Sequence, residues 1–590
     1  MKNGNLNKPE IGFSSLIKLW PWLKSERYLI IIGALLIPAI AAVTMLQPLF
    51  LKKAIDDGIL AGNASTTLFW ASSCLGLSIA VYFLNGAQSI STSVAVHRMI
   101  YKLRTALMRH VLSLSASWHD NQVSGALATR ATSDFDTLSE SLNQGVLSSV
   151  VDVIVLGGCI LGMFILSAKL ALLAIFILPL MTWLILWFSR KLNTSMLLSR
   201  RNLATLNGFT QEGISSLTAV KLLNAEENVS SRYDRLNQSY KEAQLENVFF
   251  DALMFASIDG ISSITLGISL FLVIRLTTDA ELFTAGVMVA FVQYIQQLFE
   301  PLKQLGTKMA MLQGALTSIE RIFGLVDLRQ FISGDKNFSW PNKVSIGFKD
   351  VTFKYRQDSA AALSNITFDL DHGQSLAIIG RTGSGKSTIV KLLTKLYDNY
   401  DGSINISGMS IKDINPASLR EKMGIVPQDV ILFEGTIRFN IGLNRIDATN
   451  QKIESAAKIV GADEFIQKLP GGLDYIVTEN GANLSQGQRQ LIVFARALVH
   501  EPALVILDEA TSSIDPQSET LVQTATAKLF ENRTVVVIAH RLETIKKCDF
   551  ILVLEDGKIK ELGRRSDLEA TKSRYTELLL LGSASPKNLP

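Results

Sequence analysis

Long apolar segments alternate with polar, basic segments over the first half of this chain. Six apolar segments carry no charged residue or a single one, and each is about 20 residues long, enough for a helix to cross a bilayer. They are Tyr28–Leu51, Thr66–Gln88, Leu147–Ser167, Leu170–Ser189, Ala252–Ile274 and Leu282–Phe299. We therefore predict six transmembrane helices.

The connectors between these segments differ in length and charge. Two are long, residues 89–146 and 190–251, and both are rich in Lys and Arg, whereas the others are short and poorly basic. Because basic connectors stay on the cytoplasmic side, we predict that the amino terminus, both long connectors and the second half of the chain are cytoplasmic. Helical periodicity and few Gly or Pro residues indicate helices rather than flexible linkers.

Three polar or amphipathic stretches predict features outside the membrane: two turns and an interfacial helix. The long connectors are predicted to turn at Ser117–Gln122 and at Phe209–Gly213. Phe13–Trp22 mixes Trp, Lys and apolar residues, a composition typical of an interfacial helix along the cytoplasmic surface.

Two carboxylates, Asp152 and Asp259, interrupt the apolar segments. A charge at membrane depth costs about 3 kcal/mol or more, so each needs water or a partner. Either could lie in a wet vestibule at the cytoplasmic end of its helix, or contact a substrate or cation. The vestibule is favoured for Asp152, which is close to the predicted inner face, and both interpretations stay open for Asp259.

Composition is consistent with a membrane protein of more than one domain. The chain has 590 residues, and 48% of them are hydrophobic. A net charge of +4 suggests no nucleic-acid partner. The three cysteines are far apart in sequence, so neither a disulfide framework nor a zinc motif is visible.

From about Val344 the composition becomes that of a soluble α/β domain. Lys343–Tyr355 alternates like an opening strand, and Ser375–Ile379 is a predicted buried strand that leads into the loop GRTGSGKS. Ser387–Tyr397 is the predicted helix after that loop. A strand, a glycine-rich loop and a helix in this order predict a P-loop, in which backbone N–H groups and the helix dipole bind phosphates.

Several residue types around this loop suit ATP and Mg²⁺. The candidate ATP-binding residues in the loop are Gly380, Arg381, Thr382, Gly383, Ser384, Gly385, Lys386, Ser387 and Thr388. Lys386 is expected to contact the β- and γ-phosphates and Ser387 to bind Mg²⁺. Tyr355, about 25 residues upstream, is a candidate to stack on adenine, against the alternative of simple core packing.

Three later positions complete the predicted chemistry. VILDE (Val505–Glu509) ends a predicted strand with two carboxylates, Asp508 to hold Mg²⁺ through water and Glu509 as general base. Gln428 is a candidate Mg²⁺ ligand and γ-phosphate sensor, and His540, at the end of strand Thr534–His540, a γ-phosphate contact. Structural roles for the acidic pair and the histidine are the alternatives.

The pentad LSQGQ (Leu484–Gln488) decides between nucleotide-binding families. Together with the P-loop it resembles the ATP-binding-cassette (ABC) superfamily, and the whole chain resembles an ABC exporter half-transporter of the multidrug and lipid type. Further matching segments are Tyr294–Phe323, Val426–Ile441 and Ser512–Asp515. The resemblance implies an all-α six-helix transmembrane domain followed by an α/β P-loop ABC ATPase domain.

The same resemblance implies partners and a cycle. Ser485, Gly487 and Gln488 would contact the γ-phosphate held by a second half-transporter, giving a dimer with two composite ATP sites. The transmembrane helices would be domain-swapped, and the two polar turns would act as coupling helices against the cassettes. ATP binding would close the cassettes and open the pore outward, and hydrolysis would reset it.

The expected domains follow these boundaries. They are a cytoplasmic amino terminus with the interfacial helix (1–27), the transmembrane domain (28–325), a linker (326–343), the ABC domain (344–576) and a tail (577–590). The chain departs from the family pattern at Gln486, where Gly is usual, and at Asn480 and Asn483, where charges are frequent. The first departure makes a different partner subunit an alternative to a homodimer.

We expect ATP-driven export of a hydrophobic or amphipathic cargo through a membrane, of which the bacterial inner membrane is the predicted one. Membrane lipids are the other expected partners. An ATP-gated channel or regulatory membrane subunit is the alternative function. A soluble ABC ATPase of DNA repair shares the pentad, but six transmembrane segments exclude it.

Overall fold

The structure is a computed structural model that describes residues 14–120, 122, 124–276, 284–329, 331–356, 358–508, 516–539, 541–571 and 573–577. The chain forms two compact units. The first consists of Met1–Leu112 and Ser124–Leu328, and the second of Ser113–Val123 and Arg329–Pro590. A short segment from within the helical half therefore belongs to the second unit.

The first half of the chain is helical. Helices α1 to α12 are Ser14–Ile17, Trp20–Leu23, Arg27–Lys53, Ala64–Ser113, Ala116–His119, Ser124–Ala131, Ser133–Glu140, Ser148–Leu166, Ala168–Ser215, Leu217–Leu222, Glu226–Leu276 and Ala285–Val326. A 3₁₀ turn at Lys24–Glu26 joins α2 to α3, and wider π turns at Ala54–Ile59 and Ser141–Leu147 follow α3 and precede α8. The predicted interfacial segment corresponds to α1 and α2.

Among the described residues, five helical stretches are long and apolar enough to cross a membrane, and they contain the first five predicted segments at least in large part. The sixth, Leu282–Phe299, begins at two residues outside the described part and continues into α12. Helices α4, α9 and α11 have 50, 48 and 51 residues. At 1.5 Å per residue they are roughly 75 Å long, far more than a bilayer core requires. The prediction of helical long connectors is confirmed.

The predicted turn at Phe209–Gly213 is wrong. Helix α9 continues through this stretch to Ser215, and the chain reverses afterwards, between Ser216 and Ala225. One glycine costs a helix only about 1 kcal/mol, which a helix of this length tolerates. The reversal instead includes Asn224, whose φ of 50° is left-handed, a conformation that Asn tolerates better than most residues.

Helix α12 supplies partners for the two carboxylates in the apolar segments. Lys303 Nζ lies 2.7 Å from Asp259 Oδ1, and Lys308 forms an ion pair with Asp152. Both pairs cross between helices, because Asp259 is on α11 and Asp152 on α8. The two lysines of α12 therefore supply the partners that the sequence predicted for these charges.

Among the described residues of the second unit, the strands form three sheets. Strands β1 to β12 are Ile346–Phe353, Leu363–Leu370, Ser375–Ile379, Tyr400–Ile406, Met409–Ser410, Met423–Val426, Gly435–Thr436, Ile476–Val477, Leu504–Asp508, Thr534–Ile538, Phe550–Glu555 and Lys558–Arg564. Their orders are β2-β1-β4-β5, β12-β11-β3-β10-β9-β6 and β7-β8. In the six-stranded sheet only β12 is antiparallel to its neighbour. All residues of β3 and β10 are buried, as in a parallel sheet covered on both faces.

Helices cover this sheet. Helices α13 to α21 are Lys386–Leu393, Pro416–Arg420, Ile437–Gly442, Asn450–Ile459, Asp463–Ile466, Gln486–Leu498, Pro516–Phe530, Leu542–Ile545 and Arg565–Glu569. The predicted strand, loop and helix around the P-loop are confirmed as β3, the loop and α13. Strands β3, β10, β9 and β6 are adjacent and parallel, so their carboxyl ends lie along one edge of the sheet.

Candidate nucleotide-binding site

The candidate residues gather at the carboxyl ends of four adjacent parallel strands. In register, Ile538 of β10 lies between Ile378 of β3 and Asp508 of β9. β6 follows on the other side of β9, pairing Val426 with Leu507. The P-loop and Gln428 therefore start from the same edge as Asp508, which is where open α/β sheets bind ligands.

The glycine-rich loop is held in a shape that only glycine allows. Gly385, which directly precedes α13, has a φ of 103°. A Cβ atom added there would lie 2.6 Å from the backbone oxygen of Ala362. The turn between β11 and β12 holds the loop from outside, because the Gly557 N–H donates to the backbone oxygen of Ser384 at 3.1 Å. The result is a tight backbone cradle of the kind that binds phosphates.

Lys386 lies across this cradle. Its ammonium donates to the backbone oxygens of Gly380 at 2.8 Å and Arg381 at 3.0 Å. Burial lowers the pKa of Lys386, and the Asp508 carboxylate acts against that shift. Nearby, the buried Ser384 hydroxyl has no hydrogen-bond partner among the described residues. A buried ammonium and an unpaired hydroxyl inside a glycine cradle fit a phosphate group.

Tyr355 lies beside the helix that follows the loop. Its hydroxyl shares a hydrogen bond with Thr388, with 3.0 Å between the oxygens. The residue is 39% exposed, and its ring contacts Phe353 and Tyr397 edge to face, at centroid distances of 4.9 and 5.4 Å. Tyr355 is therefore only partly packed in the core and retains surface for a ligand.

The candidate magnesium ligands are oxygen donors. Gln428 and Asp508 line one cavity of about 360 Å³, and Ser387 is exposed in the first turn of α13. Hydroxyl, amide and carboxylate oxygens are the donors that Mg²⁺ prefers, so this set fits the ion. Glu509 follows Asp508 directly and His540 follows β10, but both lie outside the described residues, as does Ser512–Asp515. Their predicted roles stay predictions.

The pentad begins α18 with a capping box. The Ser485 hydroxyl accepts from the Gln488 N–H at 3.2 Å, and the Gln488 side chain accepts from the Ser485 N–H at 3.0 Å. Gln488 is thus engaged in shaping the helix start within its own chain. Ser485 is exposed at the N-terminus of a 13-residue helix, and Gly487 is buried beneath it.

Comparisons with known proteins match both halves of the chain. A family model described as the ABC transporter transmembrane region matches residues 30–302, and one described as ABC transporter matches residues 363–512. The chain is 34% identical over 589 residues to the uncharacterized ABC transporter ATP-binding protein YfiC of Bacillus subtilis, covering 96% of this chain and 93% of that protein. The chain belongs to the ABC transporter family.

Other relatives show which branch of that family applies. An ATP-dependent lipid A-core flippase of Vibrio vulnificus is 30% identical over 584 residues, with 97% of this chain and 98% of the flippase covered. The structure of a bacterial Atm1-family ABC exporter with ATP bound matches with a TM-score of 0.79 at 27% identity, covering 95% of this chain and 99% of that one. The chain is a half-transporter of the ABC exporter type, an integral membrane protein whose cassette is a transport ATPase.

The local hydrogen bonds of Asn483 explain why this position departs from the ABC pattern, in which a charged residue is frequent. The Asn483 carbonyl accepts from both the N–H and the hydroxyl of Thr478 at 3.1 Å. Its amide donates to the Ile476 oxygen at 2.9 Å and to the Tyr475 hydroxyl at 3.1 Å. Asn483 therefore closes the loop that leads into the pentad, a role that needs a side chain with both donors and acceptors.

Sequence reasoning missed the residues that hold the α5 segment, the first of the two predicted coupling helices, against the nucleotide-binding domain. Tyr397, at the end of the P-loop helix region, donates its hydroxyl to Asp120, and Lys391 Nζ lies 4.0 Å from the same carboxylate. Trp118, in α5, is buried. Burial and the Asp120 carboxylate raise the pKa of Tyr397, so the hydroxyl remains a donor at neutral pH. Because Tyr397 also contacts Tyr355, Asp120 lies one side chain from the candidate adenine site.

Proposed function

We propose that this half-transporter exports, or flips outward, a hydrophobic or amphipathic molecule such as a lipid, lipopeptide or drug. It acts as a dimer with two composite ATP sites, in a bacterial inner membrane. The observation that carries the proposal is a built phosphate cradle fused, in one chain, to helices of membrane-spanning length. The name of the flippase relative and the mostly apolar transmembrane segments support an amphipathic cargo.

In the proposed site, the loop backbone and Lys386 bind the β- and γ-phosphates and Tyr355 stacks on adenine. Ser387, Gln428 and Asp508 hold Mg²⁺, which when bound neutralises phosphate charge. Glu509 orients the attacking water and His540 contacts the γ-phosphate. Support comes from the donor set at the sheet edge and from the places of Glu509 and His540 in the sequence, one residue after β9 and two residues after β10.

The second half of each site is proposed to come from the partner. Ser485 is exposed at a helix N-terminus, where partial positive charge favours a phosphate. The capping box leaves the amides of Gln486 and Gly487 for such a ligand. The mass of the chain purified alone tests for a homodimer, and a monomer without ATPase activity would indicate a different partner subunit.

Transport itself is tested in vesicles of stated composition. Wild-type protein reconstituted with a fluorescent phospholipid should move the probe between leaflets only when ATP and Mg²⁺ are supplied. A Glu509→Gln variant should give no movement above that of empty vesicles. Movement that proceeds equally without ATP would indicate a channel or passive scramblase and contradict the proposal.

The contact between Tyr397 and Asp120 is expected to transmit the state of the ATP site. Tyr397→Phe removes one charge-assisted hydrogen bond, of about 1.5–3 kcal/mol, from the docked coupling segment. We expect fewer molecules transported for each ATP hydrolysed, with the fold and ATP affinity retained. The measurement is the ratio of lipid transport to phosphate release in the same vesicles.

Tyr400→Phe is the matched control, because Tyr400 is another tyrosine of the same domain whose buried hydroxyl forms no hydrogen bond to a side chain among the described residues. That variant should keep the wild-type ratio. Equal ratios for both variants would show that the hydroxyl of Tyr397 does not contribute to coupling.

A further inference from the structure

An apolar cavity lies between the amino-terminal helix and two transmembrane helices. It has a volume of about 410 Å³, within the range of cavities that bind small ligands. Its walls come from α1, from the turn before α8 and the first half of α8, and from the middle of α12. Most of the lining is hydrocarbon, including Leu16, Val146, Val153, Leu156, Leu302 and Leu312.

A second, polar cavity of about 570 Å³ lies on the other face of the same helical segment. Gly145, Val146, Ser149, Val150 and Val153 of this segment line the apolar cavity, whereas Asn143, Gln144, Leu147, Ser148 and Val151 line the polar cavity. Within α8, at about 100° per residue, Ser149, Val150 and Val153 occupy one face, and Ser148 and Val151 occupy the opposite face. Asp152 falls at the boundary and lines both cavities.

The ion pair between Asp152 and Lys308 therefore lies where the apolar cavity meets the polar cavity. Both side chains line the apolar cavity, and they are 27% and 13% exposed. A carboxylate offers about four lone-pair sites and an ammonium three donors, so one mutual contact leaves both with capacity for a ligand. The pair presents a negative and a positive group side by side above a hydrocarbon cavity.

The predicted start of the third transmembrane segment and the predicted interfacial helix both place this cavity near the depth of the lipid headgroups. The third transmembrane segment is predicted to begin at Leu147 on the cytoplasmic side, and α1 is part of the predicted interfacial helix. Amphipathic helices at the interface lie near the boundary of headgroups and acyl chains. A lipid of the cytoplasmic leaflet therefore has direct access to an opening beside α1.

We propose that this site binds one phospholipid with a zwitterionic aminoethyl phosphate headgroup. One acyl chain occupies the apolar cavity, the phosphate accepts a hydrogen bond from Lys308, and the primary ammonium donates to Asp152. An anionic lipid would satisfy only Lys308 and would be repelled by Asp152. A trimethylammonium headgroup has no N–H to donate. This binding is independent of what the exporter transports.

The test uses the full chain in vesicles that contain phosphatidylethanolamine with a photoactivatable acyl chain. Labelled peptides are then identified by mass spectrometry. We expect labelling in the peptides that contain Val153 and Met309, both of which line the cavity. Val153→Trp should reduce this labelling about tenfold. The larger side chain would displace about two methylene groups of the acyl chain from the cavity, which corresponds to that change in affinity.

Leu161→Trp is the matched control, because Leu161 is on the same helix and is similarly exposed, at 55% against 68% for Val153, but does not line the cavity. It should label like the wild type. Equal labelling of the two tryptophan variants, or no labelling of these peptides in the wild type, would overturn the proposed cavity site.

Headgroup recognition is tested separately with Asp152→Leu combined with Lys308→Met. Even a fully buried ion pair can often be replaced by apolar residues of similar size, so the double variant should fold. The wild type should label at least severalfold more strongly with phosphatidylethanolamine than with the phosphatidylcholine or phosphatidylglycerol analogue carrying the same acyl chain. In the double variant the three lipids should label equally. A preference that persists there, or wild-type labelling that is equal for all three, would overturn the headgroup assignment.

Discussion

Lys386→Met is expected to reduce ATP hydrolysis by roughly 10²–10³-fold, the usual effect of removing one group that stabilises developing charge in a transition state. In the structure the ammonium bridges the Gly380 and Arg381 oxygens inside the loop. A γ-phosphate would draw the same ammonium into a charge-assisted contact. ATP affinity should fall by about tenfold to a hundredfold, which fluorescence titration with a labelled nucleotide measures.

The same substitution should not destabilise the nucleotide-free protein. Burial lowers the pKa of Lys386, so in the folded state the charged form is disfavoured. Below the folded-state pKa, the charged Lys386 therefore lowers the free energy of unfolding. This destabilisation decreases as the pH rises above the folded-state pKa and is gone above the unfolded-state pKa. At neutral pH the melting temperature of Lys386→Met should equal or exceed that of the wild type. Lys458→Met, at an exposed position on α16, controls for loss of a charge.

Glu509→Gln is expected to reduce hydrolysis by about 10²–10⁴-fold while ATP still binds, because only the general base is removed. The variant should accumulate the ATP-bound closed dimer. Saturating ATP should then raise its thermal stability, by about 2.7 kcal/mol at a hundred times the dissociation constant. Differential scanning fluorimetry with and without ATP measures this shift.

Comparison with two other variants makes the result specific. Lys386→Met should show a much smaller shift with ATP, and Glu531→Gln, which alters an exposed carboxylate of the cassette, should hydrolyse ATP at the wild-type rate. If Glu509→Gln itself hydrolyses ATP at close to the wild-type rate, Glu509 is not the general base.

The cassette could be predicted from sequence because its signals are local. Ser375–Ile379 is apolar throughout and leads directly into the glycines, so strand, loop and helix are fixed by neighbouring residues. The capping box of Ser485 and Gln488 is likewise contained in a few residues. The lengths of α4, α9 and α11 follow from helical periodicity that continues without Gly or Pro clusters.

What the sequence could not show depends on tertiary contacts. Tyr397 and Asp120 are 277 residues apart, and no local pattern joins them. Lys303 and Lys308 follow the sixth apolar segment, and nothing in the sequence links them to the two intramembrane carboxylates. Their ion pairs become visible only when α12 packs against α8 and α11. Phe209–Gly213 was polar enough to suggest a turn, but the reversal was fixed further along, at a stretch that includes left-handed Asn224.

The central claim is that the P-loop of one subunit and the pentad of the other enclose one nucleotide. Two differently tagged chains test it, one carrying Thr382→Cys and the other Gln486→Cys, in a Glu509→Gln background with Cys74, Cys159 and Cys548 changed to Ala. A short thiol crosslinker should join the two tags when ATP and Mg²⁺ are present and join them far less without nucleotide. Failure of the tags to crosslink in the ATP-loaded protein, although both cysteines react with a single-ended thiol reagent, would contradict the composite site.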